Sequence, residues 1–385
     1  YSCRITTLNK KICMKTKRRT LLKLGLAYAT SHLLKQPIYG HNVKNLIKPP
    51  KVKIAILGLG HYAENWIAPA IAQSEYAELT SIITGSPHKI SKWQKRYQIK
   101  DENVYDYENF DRIIENKSID CVYIVTPTGT HADFTIRSLK ANKHVICEKP
   151  MAPTVADCDR MIQVAKTVNK SLQIGYRLYW DPFNVRLIKA MNHKEFGELT
   201  GMQGNFSYDQ GTWSEEGDWR MNSKMNPGGA LFDIGVYVAQ SAFYSTQEHP
   251  LSVTAKHTTD RPKIFKDIPE HWEWELTWPN QIKTQHYASY GSSGNYIRLQ
   301  TEKGNLEIEP AYSYEGLKGS TPAGPMEFKH IFQQKLQIDG QCLAIHNRRA
   351  NITPGEMGRR DILLLNRIME AADSQTSIAL DNFYV

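Results

Sequence analysis

The amino-acid sequence predicts an α/β fold: an N-terminal doubly wound parallel sheet, then a C-terminal α+β part with a mostly antiparallel sheet. Three observations point there. From Lys51 onward, short apolar runs alternate with amphipathic stretches of helical period, the pattern of strands joined by crossover helices. A glycine-containing turn, residues 58–63, stands between the first apolar run and the first helical stretch. After residue 175 strand-like stretches follow one another across short turns, without the crossover helices that parallel pairing needs. A chain of 385 residues is long enough for two domains, and 41% hydrophobic with 23% charged residues is an ordinary globular balance.

Residues 1–40 stand apart. They hold nine basic residues and no acidic one, which accounts for the whole net charge of +9 and leaves residues 41–385 neutral. The globular part therefore offers no electrostatic footprint for nucleic acid. Arg18-Arg19-Thr20-Leu21-Leu22-Lys23 resembles a twin-arginine export signal, in which paired arginines precede a short, moderately apolar segment. That segment, residues 21–34, is broken by Lys23, Ser31 and His32, and it is too short for a stable membrane anchor, which takes about 20 apolar residues. The expectation is a periplasmic protein that starts at Met14, meets the twin-arginine machinery transiently and crosses the membrane folded. Small residues at Ala27-Tyr28-Ala29 and at Gly40 offer cleavage sites. A plain basic N-terminus is the alternative. Residues 41–52 read as a connecting arm.

Past the leader, Lys53–Leu57, Glu78–Thr84, Asp120–Val125 and His144–Cys147 read as strands. "NFDRIIEN", "HADFTIRSLKAN" and "TVADCDRMIQVAKTV" supply the helical stretches. Pro69 is expected to kink or shorten the helix after the first strand, since it has no N–H to donate. Cys121, Cys147, Cys158 and Cys342 show neither CxxC spacing nor histidine partners, so buried free thiols are expected, with no disulfide framework and no metal site.

Gly58-Leu59-Gly60-His61-Tyr62-Ala63 has the context of a dinucleotide fingerprint. Gly58 permits the tight turn, Gly60 lets the backbone approach a pyrophosphate, and Ala63 lets the helix pack close to the strand. Residues 53–172 thus read as a Rossmann domain with the phosphates at the helix N-terminus. An NAD site places an acid about 20 residues past the fingerprint. Here Thr84-Gly85-Ser86-Pro87-His88-Lys89 stands at that point instead, and the hydroxyls of Thr84 and Ser86 with the Lys89 ammonium suit the 2′-phosphate of NADP. Thr126, Pro127, Thr128 and His131, and later Glu148 and Lys149, follow the third and fourth strands, on the cofactor edge.

With the fingerprint, "EKPMA" (148–152) makes the chain resemble the Gfo/Idh/MocA oxidoreductases, and the likeness covers nearly all of residues 50–385. "GLGHYA", "TGSPHK", "GYRLYWDPFN", "DWR" and "GGALFDIGVY" are most similar to the glucose-fructose oxidoreductase branch. The resemblance implies an open sheet in a C-terminal substrate and oligomerisation domain, residues 173–385, whose face packs against the nicotinamide and often against another subunit. "LTGMQGNFSY", "LSVTAKHTT", "HWEWELTW", "IKTQHYASY", "YIRLQTE" and "NLEIEP" fit its strands, and "GQCLAIHNRR" and "EMGRRDILLLNRIMEAAD" its late helices.

It also implies the chemistry. A sugar dehydrogenase moves a hydride to nicotinamide and a proton to a base. Asp233 and Tyr237 stand four apart, on one face if helical, and the branch carries tyrosine where many relatives carry histidine. Tyr237 is the expected acid and base; an unperturbed tyrosine pKa near about 10 calls for a cation, for which Lys149 is placed. Asp233 orients hydroxyls or balances Lys149. Tyr176, Arg177, Trp219 and Arg220, together with Asp233, Tyr237 and Trp180, are candidates for a sugar pocket. The activity implied is oxidation of an aldose to its lactone and reduction of a second sugar carbonyl by a homo-oligomer, dimer or tetramer. Retaining NADP would reconcile nucleotide chemistry with an exported enzyme, the arm at 41–52 covering the cofactor. A conventional NADP-dependent dehydrogenase with exchangeable cofactor and a non-catalytic dinucleotide sensor are the alternatives.

Overall fold

The computed structural model describes residues 48–211 and 218–380. The leader, its cleavage sites and most of the arm lie outside the described residues. Pro49–Val385 forms one compact unit, and two sheets organise it.

The first sheet is parallel throughout, with strand order β3-β2-β1-β4-β5-β6. Its strands are β1 Val52–Leu57, β2 Ala77–Ile83, β3 Val104–Tyr105, β4 Cys121–Ile124, β5 His144–Cys147 and β6 Leu172–Ile174. Near-continuous apolar runs are needed because both faces are covered. Ala55, Leu57, Val122 and Ile124 enter one core, while Ile54, Ile56, Cys121 and Tyr123 enter the other, as alternation along a strand dictates. The order reverses beside β1, between β2 and β4, the position where such sheets form a ligand crevice.

Four helices join these strands: α1 Ala68–Gln73, α2 Ile90–Tyr97, α3 His131–Lys140 and α4 Val155–Thr167. The bend expected at Pro69 takes a particular form. A π turn at Ala63–Ile67 precedes α1, and Pro69 falls within the first turn of α1, where its missing N–H costs least. Thr154 caps α4, its side chain accepting from Asp157 N at 3.1 Å. "NFDRIIEN" departs from the expectation of an α-helix. It forms a 3-10 turn at Phe110–Glu115, since only Phe110 and Ile113 are buried while Ile114 is 57% exposed, too narrow an apolar face to hold a longer helix.

The second sheet has nine strands in the order β14-β13-β12-β11-β7-β10-β9-β8-β15. They are β7 Leu199–Ser207, β8 Ser252–Thr258, β9 His271–Thr277, β10 Lys283–Ser289, β11 Gly294–Thr301, β12 Gly304–Ile308, β13 Gly319–Thr321, β14 Gly324–Pro325 and β15 Ile378–Ala379. All of its pairs are antiparallel except β7 with β10, whose register sets Ser207 opposite Ser289. Alternation gives the sheet one buried face, with Met202, Trp272, Trp274, Leu276, Ile297 and Leu299. Helix α6, Val236–Thr246, covers that face and is buried from Val236 to Ser245; α5, Pro182–Asn192, precedes β7. On the opposite face Gln203, Glu273, Gln285 and Arg298 are exposed.

Two late helices close the unit. The first, α7, runs Gln333–Ile345, beginning seven residues before "GQCLAIHNRR". The extra turns are written in glutamine, so hydropathy gives no sign of them. Gln333, Gln334, Gln337 and Gln341 are nonetheless buried. Ile338 and Cys342 enter the core of the first sheet, so the chain returns there long after residue 172. The second, α8, is Gly355–Ser374. All four cysteines of the described residues are buried and free. No helix among the described residues is long and apolar enough to cross a membrane.

Candidate active site

The C-terminal ends of the parallel strands fall in line. Gly58 N donates to Ile83 O at 2.9 Å, Val125 N to Leu57 O at 2.8 Å, and Glu148 N to Ile124 O at 3.0 Å. The residues that leave the sheet after those ends therefore share one edge, which faces the covered side of the second sheet across a cleft of about 770 Å³. All but four of the site residues expected from sequence border this cleft: Ala63, His131, Tyr176 and Trp180 do not.

At the fingerprint, Gly58 has φ +100°, and a Cβ there would lie 2.7 Å from Val125 O, whereas a Cβ on Gly60 would meet nothing within 4 Å. Gly58 is thus required by the turn, while Gly60 leaves room above the backbone. Ala63 is fully buried beneath the turn. Beside it, Lys89 Nζ donates to Leu59 O at 2.8 Å, and Thr84 Oγ1 accepts from Ser86 N at 3.0 Å. Among the described residues, the acidic side chains bordering the cleft are Glu148 and Asp233, neither of which belongs to the stretch after β2. One ammonium and two hydroxyls without a carboxylate make a donor set that fits a 2′-phosphate, and the glycine cradle fits a pyrophosphate.

His131 and Tyr176 call for correction. His131 is 1% exposed; its Nδ1 lies 2.9 Å from Pro150 O and its Nε2 2.7 Å from Thr126 O. Burial lowers its pKa, against the pull of those carbonyls. It braces two loops from behind the cleft. Tyr176 is fully buried, a core residue whose ring centroid lies 6.5 Å from that of Tyr179. Trp180 is also core, packed on Gly340 of α7.

The charged centre lies between the sheets. Asp233 sits in a second π turn, Leu231–Gly235, that leads into α6, so it and Tyr237 reach the cleft together. Lys149 Nζ donates to Asp233 O at 2.7 Å and lies 3.2 Å from Asp233 Oδ1. Asp233 Oδ2 accepts from the Tyr290 hydroxyl at 2.8 Å and from Tyr208 at 3.3 Å, with Arg220 Nε 3.4 Å away. Burial opposes ionisation of Asp233, but Lys149, Arg220 and the tyrosine donors override it and hold the carboxyl well below its usual range. Burial likewise works against the Lys149 charge, yet Asp233, Tyr237, Tyr314 and Glu148 raise its pKa to about 12. The ammonium lies 4.9 Å from the Tyr237 ring centroid.

Glu148 is 5% exposed and accepts from the Tyr123 hydroxyl at 2.8 Å and from Lys149 N at 3.2 Å. Burial raises its pKa to about 7, more than those donors and Lys149 lower it. Trp219 and Arg220 border the cleft in a 3-10 turn, with the guanidinium carbon 4.6 Å from the Trp219 ring.

Sequence reasoning missed Tyr208, Tyr290 and the segment Tyr312–Tyr314. A signal was present: "NFSY" and "YASY" both end in Ser-Tyr. The parallel pairing of β7 with β10 sets those ends side by side, with ring centroids of Tyr208 and Tyr290 5.7 Å apart.

Comparison with known proteins bears on the family and the fold. A model of the oxidoreductase family with NAD-binding Rossmann fold matches residues 52–176, and one of the GFO/IDH/MocA C-terminal domain matches residues 185–309. Among solved structures, an aldose-aldose oxidoreductase from Caulobacter crescentus complexed with glycerol is similar with a TM-score of 0.82 and 34% identity, over 86% of this chain and 100% of that one. D-xylose 1-dehydrogenase [NADP(+)] of Haloarcula marismortui is 24% identical over 86% of this chain and 93% of that protein. A dTDP-3,4-didehydro-2,6-dideoxy-alpha-D-glucose 3-reductase of Saccharopolyspora spinosa is 30% identical over 50% of this chain and 55% of its own length.

Proposed function

This chain belongs to the Gfo/Idh/MocA oxidoreductase family, and from that premise we propose that it is an NADP-dependent sugar oxidoreductase that oxidises an aldose to its lactone and reduces a second sugar carbonyl without releasing its cofactor. The observation that carries the reading is the convergence of Lys149, Asp233 and Tyr237 in one cleft with the Gly58–Gly60 cradle and Lys89. Similarity to the aldose-aldose oxidoreductase supports the two-sugar form.

NADP, when bound, supplies the hydride acceptor and donor. Gly58 and Gly60 hold its pyrophosphate; Thr84, Ser86 and Lys89 hold its 2′-phosphate. The Tyr237 oxygen, acting as base with its own proton off, takes the proton from the donor sugar's hydroxyl as hydride leaves the same carbon, and returns that proton to the carbonyl oxygen of the acceptor as the hydride is given back. Lys149 remains an ammonium across the neutral range and sets a positive charge 4.9 Å from the Tyr237 ring centroid. Asp233 stays ionised; it fixes Lys149 through two contacts. Trp219 and Arg220 offer an aromatic face and a donor fork to a pyranose.

We further propose that the protein is exported folded to the periplasm through the leader, and that it is a homo-oligomer using the exposed face of the second sheet. Light scattering and fractionation test these. The test of the central reading is to purify the protein, denature it and measure released NADP. Near-stoichiometric nucleotide, together with loss of turnover but not of nucleotide in Tyr237→Phe, is the expected result. A conventional dehydrogenase is the second reading, favoured by similarity to the NADP-dependent xylose dehydrogenase. It predicts empty protein that turns over on added NADP.

A further inference from the structure

Arg177 borders the cleft but is 1% exposed, and its donors are directed at protein. One terminal nitrogen donates to Ser313 O at 3.0 Å and to Gln333 Oε1, the other to Tyr312 O. Nε has no hydrogen-bond partner among the described residues. The guanidinium carbon lies 5.1 Å from the Tyr237 ring centroid and 4.5 Å from that of Tyr314. Tyr314 in turn stacks on Tyr62 at 5.7 Å and meets Trp66 at 4.3 Å. The same segment is pinned independently by Asn295, whose Oδ1 accepts from Ala311 N at 2.8 Å and Tyr312 N at 2.7 Å.

Tyr237 is therefore flanked by two cations, Lys149 from the end of β5 and Arg177 from the turn after β6. They differ in kind. Lys149 is tied to Asp233, on the tyrosine's own segment, whereas Arg177 is tied to the main chain of a separate wall. A planar guanidinium with three acceptors cannot rotate freely, and a cation near an aromatic ring is attracted to its π face. We propose that Arg177 is a positioning residue that sets the Tyr237 ring against the Tyr312–Tyr314 wall and does not itself bind sugar. The proposal rests on the reading of Tyr237 as the acid and base.

Arg177→Lys keeps a charge but loses the fork, and Arg177→Gln loses both. Misplacing a reacting group costs rate, while losing a ground-state ligand raises KM. The expected result is a fall in kcat of about 10- to 100-fold, larger in the glutamine variant, with sugar KM within about threefold and bound NADP unchanged. Asn295→Ala loosens the wall on which the guanidinium is anchored but leaves the cation, and is expected to lower kcat by less than Arg177→Gln does, with sugar KM within about threefold. Raised KM at unchanged kcat in Arg177→Lys overturns the proposal, because Arg177 is then a sugar ligand. Arg177 variants that melt early and lose NADP also overturn it, because the residue is then merely structural. Inactive or cofactor-free wild-type protein sinks the functional reading instead, so the two failures are separable.

Discussion

Replacing Asp233 with asparagine tests the charged centre most directly. The D233N change removes one negative charge from between Lys149 Nζ at 3.2 Å and Arg220 Nε at 3.4 Å. With an effective dielectric of about 20, each pair interacts by about 5 kcal/mol before desolvation. Arg220 retains 35% of its side-chain exposure, and solvent screens its share, so Lys149 dominates. Removing one partner of a buried pair costs about 3–5 kcal/mol because the other charge is stranded. An amide keeps the shape and can still accept from Lys149, which sets the expectation at the lower end, about 3 kcal/mol. At about 2–4 °C per kcal/mol, the melting temperature should fall by roughly 10 °C. kcat should also fall, by about 10-fold or more, since Lys149 loses its countercharge and keeps only the main-chain carbonyl of residue 233 and a neutral amide as acceptors. Thermal melts and steady-state kinetics on the same preparations are the assay. The acid limb adds a sign. A depressed carboxyl pKa stabilises the fold above the unfolded value of about 4, and that stability is lost as pH falls through the folded pKa. The stability gap between wild type and D233N should therefore narrow below pH of about 4. Equal melting temperatures with undiminished kcat would refute the account of Asp233 as the anchor of Lys149.

Glu148 carries the opposite sign. Its folded pKa of about 7 stands above the unfolded value, so its ionisation destabilises the fold as pH rises from about 4.3 to 7. Glu148→Gln should melt progressively higher than wild type across that window and hold a constant margin above it, of at most about 4 kcal/mol; a margin independent of pH would contradict the assignment. Lys89→Ala removes the ammonium nearest the fingerprint turn and should weaken NADP binding by about 10- to 100-fold, the value of one charged hydrogen bond, while leaving NAD binding nearly unchanged. Isothermal titration of nucleotide-stripped protein reads this, and equal losses for the two nucleotides would place the 2′-phosphate elsewhere.

The first sheet was legible because its strands are buried on both faces and its turns are punctuated by glycine and proline. β1, β2, β4 and β5 fall within one residue of the stretches read from hydropathy. β3 and β6, at two and three residues, are too short to carry a period. The cofactor side of the cleft was legible for a related reason: such residues follow strand ends in sequence, and the parallel register aligns those ends in space. His131 misled because it stands on the same edge in sequence while its ring turns inward to two carbonyls. The tyrosines around Asp233 and Tyr237 were illegible individually, because Tyr208, Tyr290 and Tyr312 come from three separate connections that only the second sheet brings together. Helix α7 was half legible, its first turns being built from buried amides that pair with Tyr123, Ile174 O and Asp181 where apolar residues would have announced them.

That amide-rich helix has a consequence for how the chain matures. During synthesis the N-terminal half leaves the ribosome first, and domains commonly fold in that order. Here Ile67, Ala68 and Ile71 share a core with Ile338 and Cys342, which are made some 270 residues later. Until those residues arrive, the surface they cover faces water. The nucleotide half is thus completed only when α7 has been made, so its assembly waits on a segment far along the chain.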